Sequence, residues 1–373
     1  MPRICHLFDS ATGWEQRVAV AQLLDRLPRE RFTHALAAID PAAAATLREL
    51  SIPIRTFPRI ARLNALTAPF IARHLDTHDC ELIHAWGPDA AAAAAMASCR
   101  PLIVELFDPA LAARNAKLLR TLARPSEFGI VCSCEIVRRR LIEGGVPPEL
   151  CVTIRPGIDF AFLNRARQSP LREQLGIGRD DFAILLPEPV LRDAGCLEGF
   201  WAGALMNHLS GKVKVIVSGC SLEQRRITRF AANVPSRPTL VAPGADVPFE
   251  KVIPIADALV LATDADVSTT AIAWAMASRV AVVAAAGYAI AEMITNKVNG
   301  LLFKRSPGKS STISLVRLLE DRAAQAKVKE AAHGQAYEVF GLRRCVEQHK
   351  RFYENVLSGI APGNGITDSA QVG

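Results

Sequence analysis

The stretch from Asp257 to Phe303 decides the fold, and its sequence is DALVLATDADVSTTAIAWAMASRVAVVAAAGYAIAEMITNKVNGLLF. Ala258–Ala262 and Val280–Ala285 are short apolar runs, which are typical of buried strands. Between them, a Ser-Thr-Thr run can cap a helix that ends at Ala277. Two apolar strands that flank one helix predict a parallel β-α-β unit, and ligands bind such units at the carboxyl ends of the strands.

The same alternation of apolar strands and helices recurs along most of the chain. In the first half the predicted strands are Arg3–Phe8, His34–Ile39, Ile52–Phe57, Leu82–Ala85, Leu102–Leu106 and Gly129–Cys132. In the second half they are Ala183–Leu186, Val213–Val217, Thr239–Val241, Ala258–Ala262 and Val280–Ala285. Repeated strand–helix units predict an α/β fold with two doubly wound parallel sheets.

Composition limits the kinds of protein that this chain can be. Its 373 residues are enough for two domains, and a hydrophobic content of 50% excludes a disordered chain. The net charge of +7 is spread along the sequence, which suits an anionic ligand or a membrane surface and argues against nucleic acid. The nine cysteines include no C-x-x-C pair, so we expect free thiols in a reducing compartment and no metal site.

Several short motifs occur in the order and at the spacing of one known family. Ala275-Met276-Ala277 precedes the apolar strand, Glu292 follows it, and Asn299-Gly300-Leu301-Leu302 closes the stretch. In the first half, Gly13-Trp14-Glu15 follows the first strand, and Thr153–Asp159 is similar to a linker motif. Together these motifs resemble the retaining GT-B glycosyltransferases of family 4.

The resemblance implies the domain organisation. It predicts a GT-B fold, in which two Rossmann-like doubly wound parallel-sheet domains face a cleft. The acceptor-side domain is expected over residues 1–156 and the nucleotide-sugar-side domain over 157–337. An amphipathic helix over 338–357 should cross back to the first domain, and residues 358–373 should form a flexible tail.

The loop that should bind the donor diphosphate differs from the family pattern. The family places an Arg and a Lys in a glycine-containing loop after the first strand of the second domain. Aligned on Gly195, those positions are Pro189 and Ala194 here, and Glu188 replaces a glycine. Arg192 lies within the loop and could compensate; the alternative is an arginine solvated at the surface.

Three further positions correspond to family residues that contact the donor or the transferred sugar. Asp266 corresponds to the glutamate that contacts the donor sugar, although it could equally cap the next helix. Trp274 replaces the carboxylate that binds the ribose hydroxyls, and an indole cannot accept those hydrogen bonds; packing within the helix face is the alternative. In the first domain Asp108 is retained, whereas Phe107 replaces the family histidine. We therefore predict Asp266 and Asp108 as the catalytic positions.

The remaining predicted donor-side residues follow strands or begin helices. Glu292 is expected to begin a short helix, where it would complement the helix dipole. Together with Arg192, Gly195 and Trp274, the predicted donor-binding residues are Gly13, Ser218, Gly219, Gly287 and Glu292.

Two functions are consistent with these motifs. The first is retaining transfer of a hexose from a nucleotide sugar to a glycan or lipid-linked acceptor. The second is a catalytically inactive GT-B relative that binds or regulates a partner in glycan assembly. No cofactor or metal is expected in either case. The chain should act in the cytoplasm, and peripheral attachment to the inner membrane face is predicted by the basic and apolar segment Arg55–His74, for which an ordinary amphipathic surface is the alternative.

Overall fold

The computed structural model describes residues 1–50, 52–57, 64–123, 127–187, 195–218, 222–234, 238–244, 246–263, 267–304 and 309–366. The chain divides into two compact units. The first unit consists of residues 1–157 and 342–373, and the second consists of residues 158–341.

The first unit is built on a sheet of seven parallel strands in the order β3-β2-β1-β4-β5-β6-β7. The strands are β1 (Arg3–Phe8), β2 (Thr33–Ala38), β3 (Ile54–Thr56), β4 (Cys80–Trp86), β5 (Leu102–Leu106), β6 (Phe128–Cys132) and β7 (Cys151–Thr153). Its described helices are α1 (Trp14–Arg26), α2 (Pro41–Thr46), α3 (Asn64–Thr77), α4 (Pro88–Ala97), α5 (Pro109–Leu122) and α6 (Glu135–Glu143). The strand order reverses between β1 and β4, which makes this pair the topological switch point of the sheet.

The second unit repeats this plan with six parallel strands in the order β10-β9-β8-β11-β12-β13. Its first helices are α7 (Phe160–Arg167) and α8 (Leu171–Gln174). The strands are β8 (Phe182–Leu185), β9 (Val213–Ile216), β10 (Thr239–Val241), β11 (Ala258–Leu261), β12 (Ala281–Ala285) and β13 (Leu301–Phe303). The other described helices are α9 (Cys196–Ser210), α10 (Leu222–Ala231), α11 (Phe249–Val252), α12 (Thr270–Ala277), α13 (Tyr288–Ala291), α14 (Lys309–Glu320) and α15 (Arg322–Val339).

The predicted fold class is confirmed: both sheets are parallel and each unit alternates strands with helices. Strand positions agree with the apolar runs to within about two residues, because a parallel strand covered on both faces must be apolar throughout. In the second sheet the order reverses between β8 and β11, so these two strands form its switch point.

The last described helix, α16 (Leu342–Leu357), is part of the first unit and completes its core. Its buried residues recur at helical spacing, which gives one apolar stripe with polar exceptions. Phe352 packs so closely on β6 that a Cβ at Gly129 would lie 2.7 Å from its ring. Gly129 therefore leaves the space that the α16 side chains occupy.

Candidate functional site

At the switch point of the second sheet, the backbone of Gly195 lies very close to the backbone of Ala262. Gly195 precedes α9 and has a φ of 69°, a conformation that glycine adopts without strain. A Cβ at this position would lie 2.3 Å from the carbonyl carbon and oxygen of Ala262, directly after β11. The amino end of α9 and the carboxyl end of β11 are thus in contact where nucleotide ligands bind in folds of this kind.

We expect Gly195→Ala to lower stability more than Gly211→Ala does. Gly211 ends the same helix with a φ of 70°, so both alanine variants incur a left-handed backbone cost of about 1–2 kcal/mol. Only at Gly195 would the new Cβ meet backbone atoms, since nothing lies within 4 Å of a Cβ at Gly211. Urea unfolding measures the loss of stability in each variant. Equal losses of stability in the two variants would show that the close approach of Gly195 to Ala262 does not require a glycine.

Three predicted donor-side residues lie outside the described residues. These are Arg192, Gly219 and Asp266, and the altered positions Glu188, Pro189 and Ala194 lie outside them as well. Their flanking residues are described: Gly195 follows the diphosphate loop, and Thr263 precedes Asp266 by three positions. Both flanks lie at the carboxyl ends of the switch-point strands, β8 and β11.

The other donor-side candidates follow neighbouring strands of the same sheet. Ser218 is buried, with 3% of its surface exposed, and lies two residues after β9. Gly287 follows β12 in an extended conformation and precedes α13. The prediction that Glu292 begins a helix is wrong, because α13 covers Tyr288–Ala291 and Glu292 is its C-terminal cap. The apolar residues Tyr288–Ala291 make up the helix, and Glu292 comes after them. It therefore lies at the carboxyl end of α13, where the helix dipole disfavours an acidic group.

Trp274 is buried, as its position before Ala275-Met276-Ala277 predicted, with only 2% of its surface exposed. It lies within α12, every residue of which is buried. Its ring meets Phe162 of α7 edge-on, with the ring centroids 6.1 Å apart. This contact within the second unit explains the burial of the indole as packing, which was the alternative to a position beside the ribose.

The two first-unit candidates have local structural roles. Asp108 is the N-cap of α5, where its Oδ1 accepts hydrogen bonds from Ala110 N at 2.7 Å and Leu111 N at 3.3 Å. Phe107, which replaces the family histidine, is buried. Gly13 precedes α1, and its N–H donates to Gln16 Oε1 at 2.9 Å. A Cβ at Gly13 would meet only that oxygen at 3.6 Å, so the local space does not require glycine there.

Sequence reasoning missed Asp9, which lies at the switch point of the first sheet. It follows β1 and is 1% exposed, and its Oδ2 accepts from Asp89 N and Ala90 N, both at 3.0 Å. Gly87 has a φ of 138°, and a Cβ there would lie 2.3 Å from the same oxygen. Burial raises the pKa of Asp9 to about 6, although three backbone N–H groups oppose the shift. An acidic residue directly after the first apolar strand was the available signal.

A buried ionic cluster joins α16 to the strands of the first sheet. His349 Nε2 lies 3.2 Å from Glu105 Oε2, and His349 Nδ1 lies 2.9 Å from the carbonyl oxygen of Cys345. Both partners accept, so both ring nitrogens of His349 donate and its imidazole is cationic. His84 also lies beside Glu105, and its Nδ1 is 2.8 Å from the hydroxyl of Tyr353. Its Nε2 is 3.1 Å from Glu105 Oε2, but these two atoms are not aligned for a hydrogen bond.

The pKa shifts in this cluster agree with a buried ion pair. Burial alone would raise the pKa of Glu105, but the charge and hydrogen bond of His349, with His84, lower it to about 2. Burial alone would lower the pKa of His349, but the charge of Glu105 and the hydrogen bonds raise it well above its ordinary value. For His84, burial prevails and lowers the pKa. His84 is thus a buried histidine whose Nδ1 pairs with the Tyr353 hydroxyl.

Next to this cluster, the rings of Trp86, His6 and His34 are joined by hydrogen bonds across the sheet. Trp86 Nε1 donates to His6 Nδ1 at 3.1 Å, which leaves the proton of His6 on Nε2, 3.0 Å from His34 Nδ1. Burial lowers the pKa of His6 well below its ordinary value and that of His34 to about 4. Both histidines are therefore neutral at pH 7.

Other features set limits within the described residues. No group of three or more His, Cys, Asp or Glu side chains there could hold a metal ion. All eight described cysteines are free thiols, as predicted, and seven of them are buried. No described helix is both long enough and apolar enough to cross a membrane.

Two Rossmann-like units with parallel sheets, each with one switch point, are the architecture of the GT-B fold. Residues 16–162 match the sequence model of Glycosyltransferase Family 4. Among curated proteins, none matches the sequence significantly. The family match and the solved structures below confirm the resemblance to the GT-B glycosyltransferases.

Solved structures of this fold superpose on nearly the whole chain. HepE from Anabaena, crystallised with UDP and glucose, is 20% identical with a TM-score of 0.78, covering 95% of this chain and 100% of HepE. Sucrose-phosphate synthase from Thermosynechococcus elongatus is 15% identical with a TM-score of 0.74, and the match covers 96% of this chain and 100% of the synthase. A putative UDP-N-acetylglucosamine 2-epimerase from Listeria monocytogenes is 13% identical with a TM-score of 0.65, and the match covers 95% of this chain and 96% of the epimerase. At these identities the likeness establishes the fold, and the same fold serves more than one reaction.

Proposed function

We propose that the chain transfers a hexose, with retention of configuration, from a nucleotide sugar to a glycan or lipid-linked acceptor. The observation that supports this most is the clustering of the second-unit candidates. Gly195, Ser218 and Gly287 follow β8, β9 and β12, and Asp266 follows β11 in the sequence. The carboxyl ends of parallel strands meet at one edge of a sheet, so Gly195, Ser218 and Gly287 share the edge at which such folds bind nucleotides.

Binding of a uridine nucleotide is the most specific form of this proposal. HepE was crystallised with UDP and glucose and also with UDP-glucose, and its fold covers 95% of this chain. The 15-residue helix α9 begins beside the switch point, where its free N–H groups and dipole would favour an anionic diphosphate. Asp266 would then contact the donor sugar, and Arg192 would supply only part of the positive charge that the leaving diphosphate requires, since Pro189 and Ala194 supply none.

A catalytically inactive binding partner in glycan assembly is the second candidate, and two observations favour it. Phe107 replaces a family histidine and Trp274 replaces a family carboxylate, and both side chains are buried. A buried phenyl ring and a buried indole cannot form the hydrogen bonds that the replaced groups would make with the sugar and the ribose. Such a protein would keep the fold and the ligand edge while lacking groups that act on the donor.

Titration of the full chain with UDP-sugars and GDP-sugars tests the proposal and separates the two candidates. Calorimetry measures binding, and release of free UDP or GDP in the presence of glycan and lipid-linked acceptors measures transfer. Binding with transfer supports the enzyme, and binding without transfer supports the inactive partner. Absence of binding by either nucleotide sugar at millimolar concentration would contradict a donor site in the second unit.

Peripheral membrane attachment is proposed for the segment Arg55–His74, in which residues 58–63 lie outside the described part. In α3, Leu66 and Phe70 are 47% and 50% exposed and lie one turn apart, and Arg73 is exposed next to them. Exposed apolar side chains beside a cation suit an anionic lipid surface.

We expect the full chain to float with anionic liposomes at low salt and to be released as salt rises, because screening weakens the electrostatic part of the attraction. Leu66→Ser with Phe70→Ser should abolish co-flotation. Met96→Ser with Leu209→Ser is the matched control, since these side chains are 55% and 69% exposed outside the segment. Failure of the unmodified chain to float at low salt would rule out this attachment.

A further inference from the structure

A basic groove of about 920 Å³ begins at the amino ends of β1 and β2 and runs between β3 and α3. Arg3 begins β1, Arg55 lies in β3, and Arg73 lies near the end of α3. His34, near the start of β2, also lines the groove, as do His74 and His78. We call this feature the amino-edge groove. It extends from the amino ends of β1 and β2 along the length of β3, and neither Asp9 nor Asp108 lines it.

The charged side chains among the described residues that line the amino-edge groove are all basic. Its cations are Arg3, Arg55 and Arg73, and none of the described residues that line it is acidic. Arg55 and Arg73 are exposed, and neither forms an ion pair with any described carboxylate. The pKa of His74 is lowered to about 4 by burial, by His78 and by Arg55, so this imidazole is neutral at pH 7. Three arginines that share one groove favour a bound anion.

Contacts within the groove hold its polar groups in place. Arg3 donates from Nη1 to the carbonyl oxygen of His78 at 2.8 Å and from Nε to Thr33 Oγ1 at 3.3 Å, which fixes its guanidinium. Those contacts use two of its five N–H groups, so others remain for a ligand. His74 Nε2 is shielded from solvent and has no hydrogen-bond partner among the described residues. A buried polar atom without a partner is costly, and a bound acidic hydroxyl or anion would satisfy it.

An apolar wall lies beside these charges. Strand alternation places Arg55 and Phe57 on the same face of β3, and the Phe57 ring meets the His74 ring edge-on at 5.6 Å. Phe70 lies one turn before Arg73 and His74 on α3 and lines the groove while half exposed. The groove therefore offers a ligand both fixed positive charge and apolar contact.

We propose that the amino-edge groove binds a phosphate ester that carries an apolar group, with Arg3, Arg55 and Arg73 contacting the phosphate. The arginine guanidinium is planar and matches phosphate oxygens with paired N–H donors. The ester could be a small soluble phosphate or the headgroup of an anionic lipid. Binding in this groove does not depend on glycosyl transfer, and only the lipid source coincides with the proposed membrane attachment.

Calorimetric titration of the full chain with phenyl phosphate, a small soluble ester, and with dihexanoylphosphatidic acid below its micellar concentration tests the proposal. We expect saturable binding that Arg55→Gln with Arg73→Gln weakens by about a hundredfold or more, since two charge-assisted hydrogen bonds are lost. Arg114→Gln with Arg139→Gln is the matched control, because both arginines are exposed in the first unit and do not line the groove. Changes in the imidazole NMR signals of His74 and His78 on titration would locate the ligand.

The outcomes separate the two sources of phosphate. Equal affinity for the two esters identifies a small soluble phosphate, and tighter binding of dihexanoylphosphatidic acid identifies a lipid headgroup. The proposal is overturned if neither ester binds saturably at millimolar concentration, or if both double variants weaken binding equally. UDP titration of Arg55→Gln with Arg73→Gln should match the unmodified chain, so failure here is distinguishable from failure of the donor site.

Discussion

Replacing Glu105 by Gln is expected to destabilise the first unit by about 3–5 kcal/mol, because the variant leaves a buried charge on His349 without its counter-ion. Glu105 Oε2 lies 3.2 Å from His349 Nε2, and the two side chains are 4% and 3% exposed. His349 belongs to α16 and Glu105 to β5, so the pair connects the last helix to the middle of the first sheet. The loss should therefore loosen α16 before the rest of the unit.

Hydrogen–deuterium exchange of peptides from β5 and α16 measures this loss in the first unit alone. The control is Glu143→Gln, which removes an exposed partner of Arg140 at 2.9 Å and should cost less than about 1 kcal/mol. Replacing both Glu105 and His349 by Leu should cost less than Glu105→Gln, since no unpaired charge then remains. A cost below 1 kcal/mol for Glu105→Gln would show that the pair is not a charged one.

The cost of Glu105→Gln should also depend on pH in a defined direction. The raised pKa of His349 contributes stability that is complete below the unfolded value of about 6.5 and is lost as pH rises through the folded pKa. The lowered pKa of Glu105 contributes stability that is present above about 4.5 and is lost as pH falls toward about 2. The difference between the variant and the unmodified chain should therefore be largest between about pH 4.5 and 6.5.

Restoring both cations of the diphosphate loop, by Pro189→Arg with Ala194→Lys, is expected to raise affinity for UDP by a hundred- to ten-thousandfold. Each charge-assisted hydrogen bond to the diphosphate contributes roughly 1.5–3 kcal/mol, and two would be gained. The unmodified chain should show little thermal stabilisation by millimolar UDP or GDP. At a ligand concentration equal to the dissociation constant, linkage gives only about 0.4 kcal/mol.

The control for this gain adds the same charges elsewhere in the second unit. Ala323→Arg with Ala331→Lys places them at exposed positions of α15 and should leave UDP affinity nearly unchanged. Calorimetry with UDP compares the two double variants. Micromolar binding by the unmodified chain that Arg192→Ala abolishes would mean that Arg192 already supplies the charge, and the loop would then be functional as it stands.

Much of the fold was predictable because parallel strands have a strong local signal. Arg3–Phe8, Leu102–Leu106 and Thr239–Val241 were predicted with their observed bounds, since a strand covered on both faces is a continuous apolar run. The strand Cys151–Thr153 was missed because only its three residues are extended and they run into a linker-like motif. Glu292 was placed at the wrong end of α13, because a four-residue helix has too little sequence pattern to fix its bounds.

Sequence alone determined the class of fold and the order of its motifs, because hydrophobic periodicity and turn residues are local properties of the chain. Only the tertiary structure decided which polar groups meet. His84, Glu105 and His349 are separated by many residues, and they come together only because strand register and the packing of α16 bring them to one place in the core. The amino-edge groove likewise depends on Arg3, Arg55 and Arg73 converging from β1, β3 and α3. Long-range contacts of this kind have no local signature, since each residue alone resembles an ordinary strand or helix surface residue.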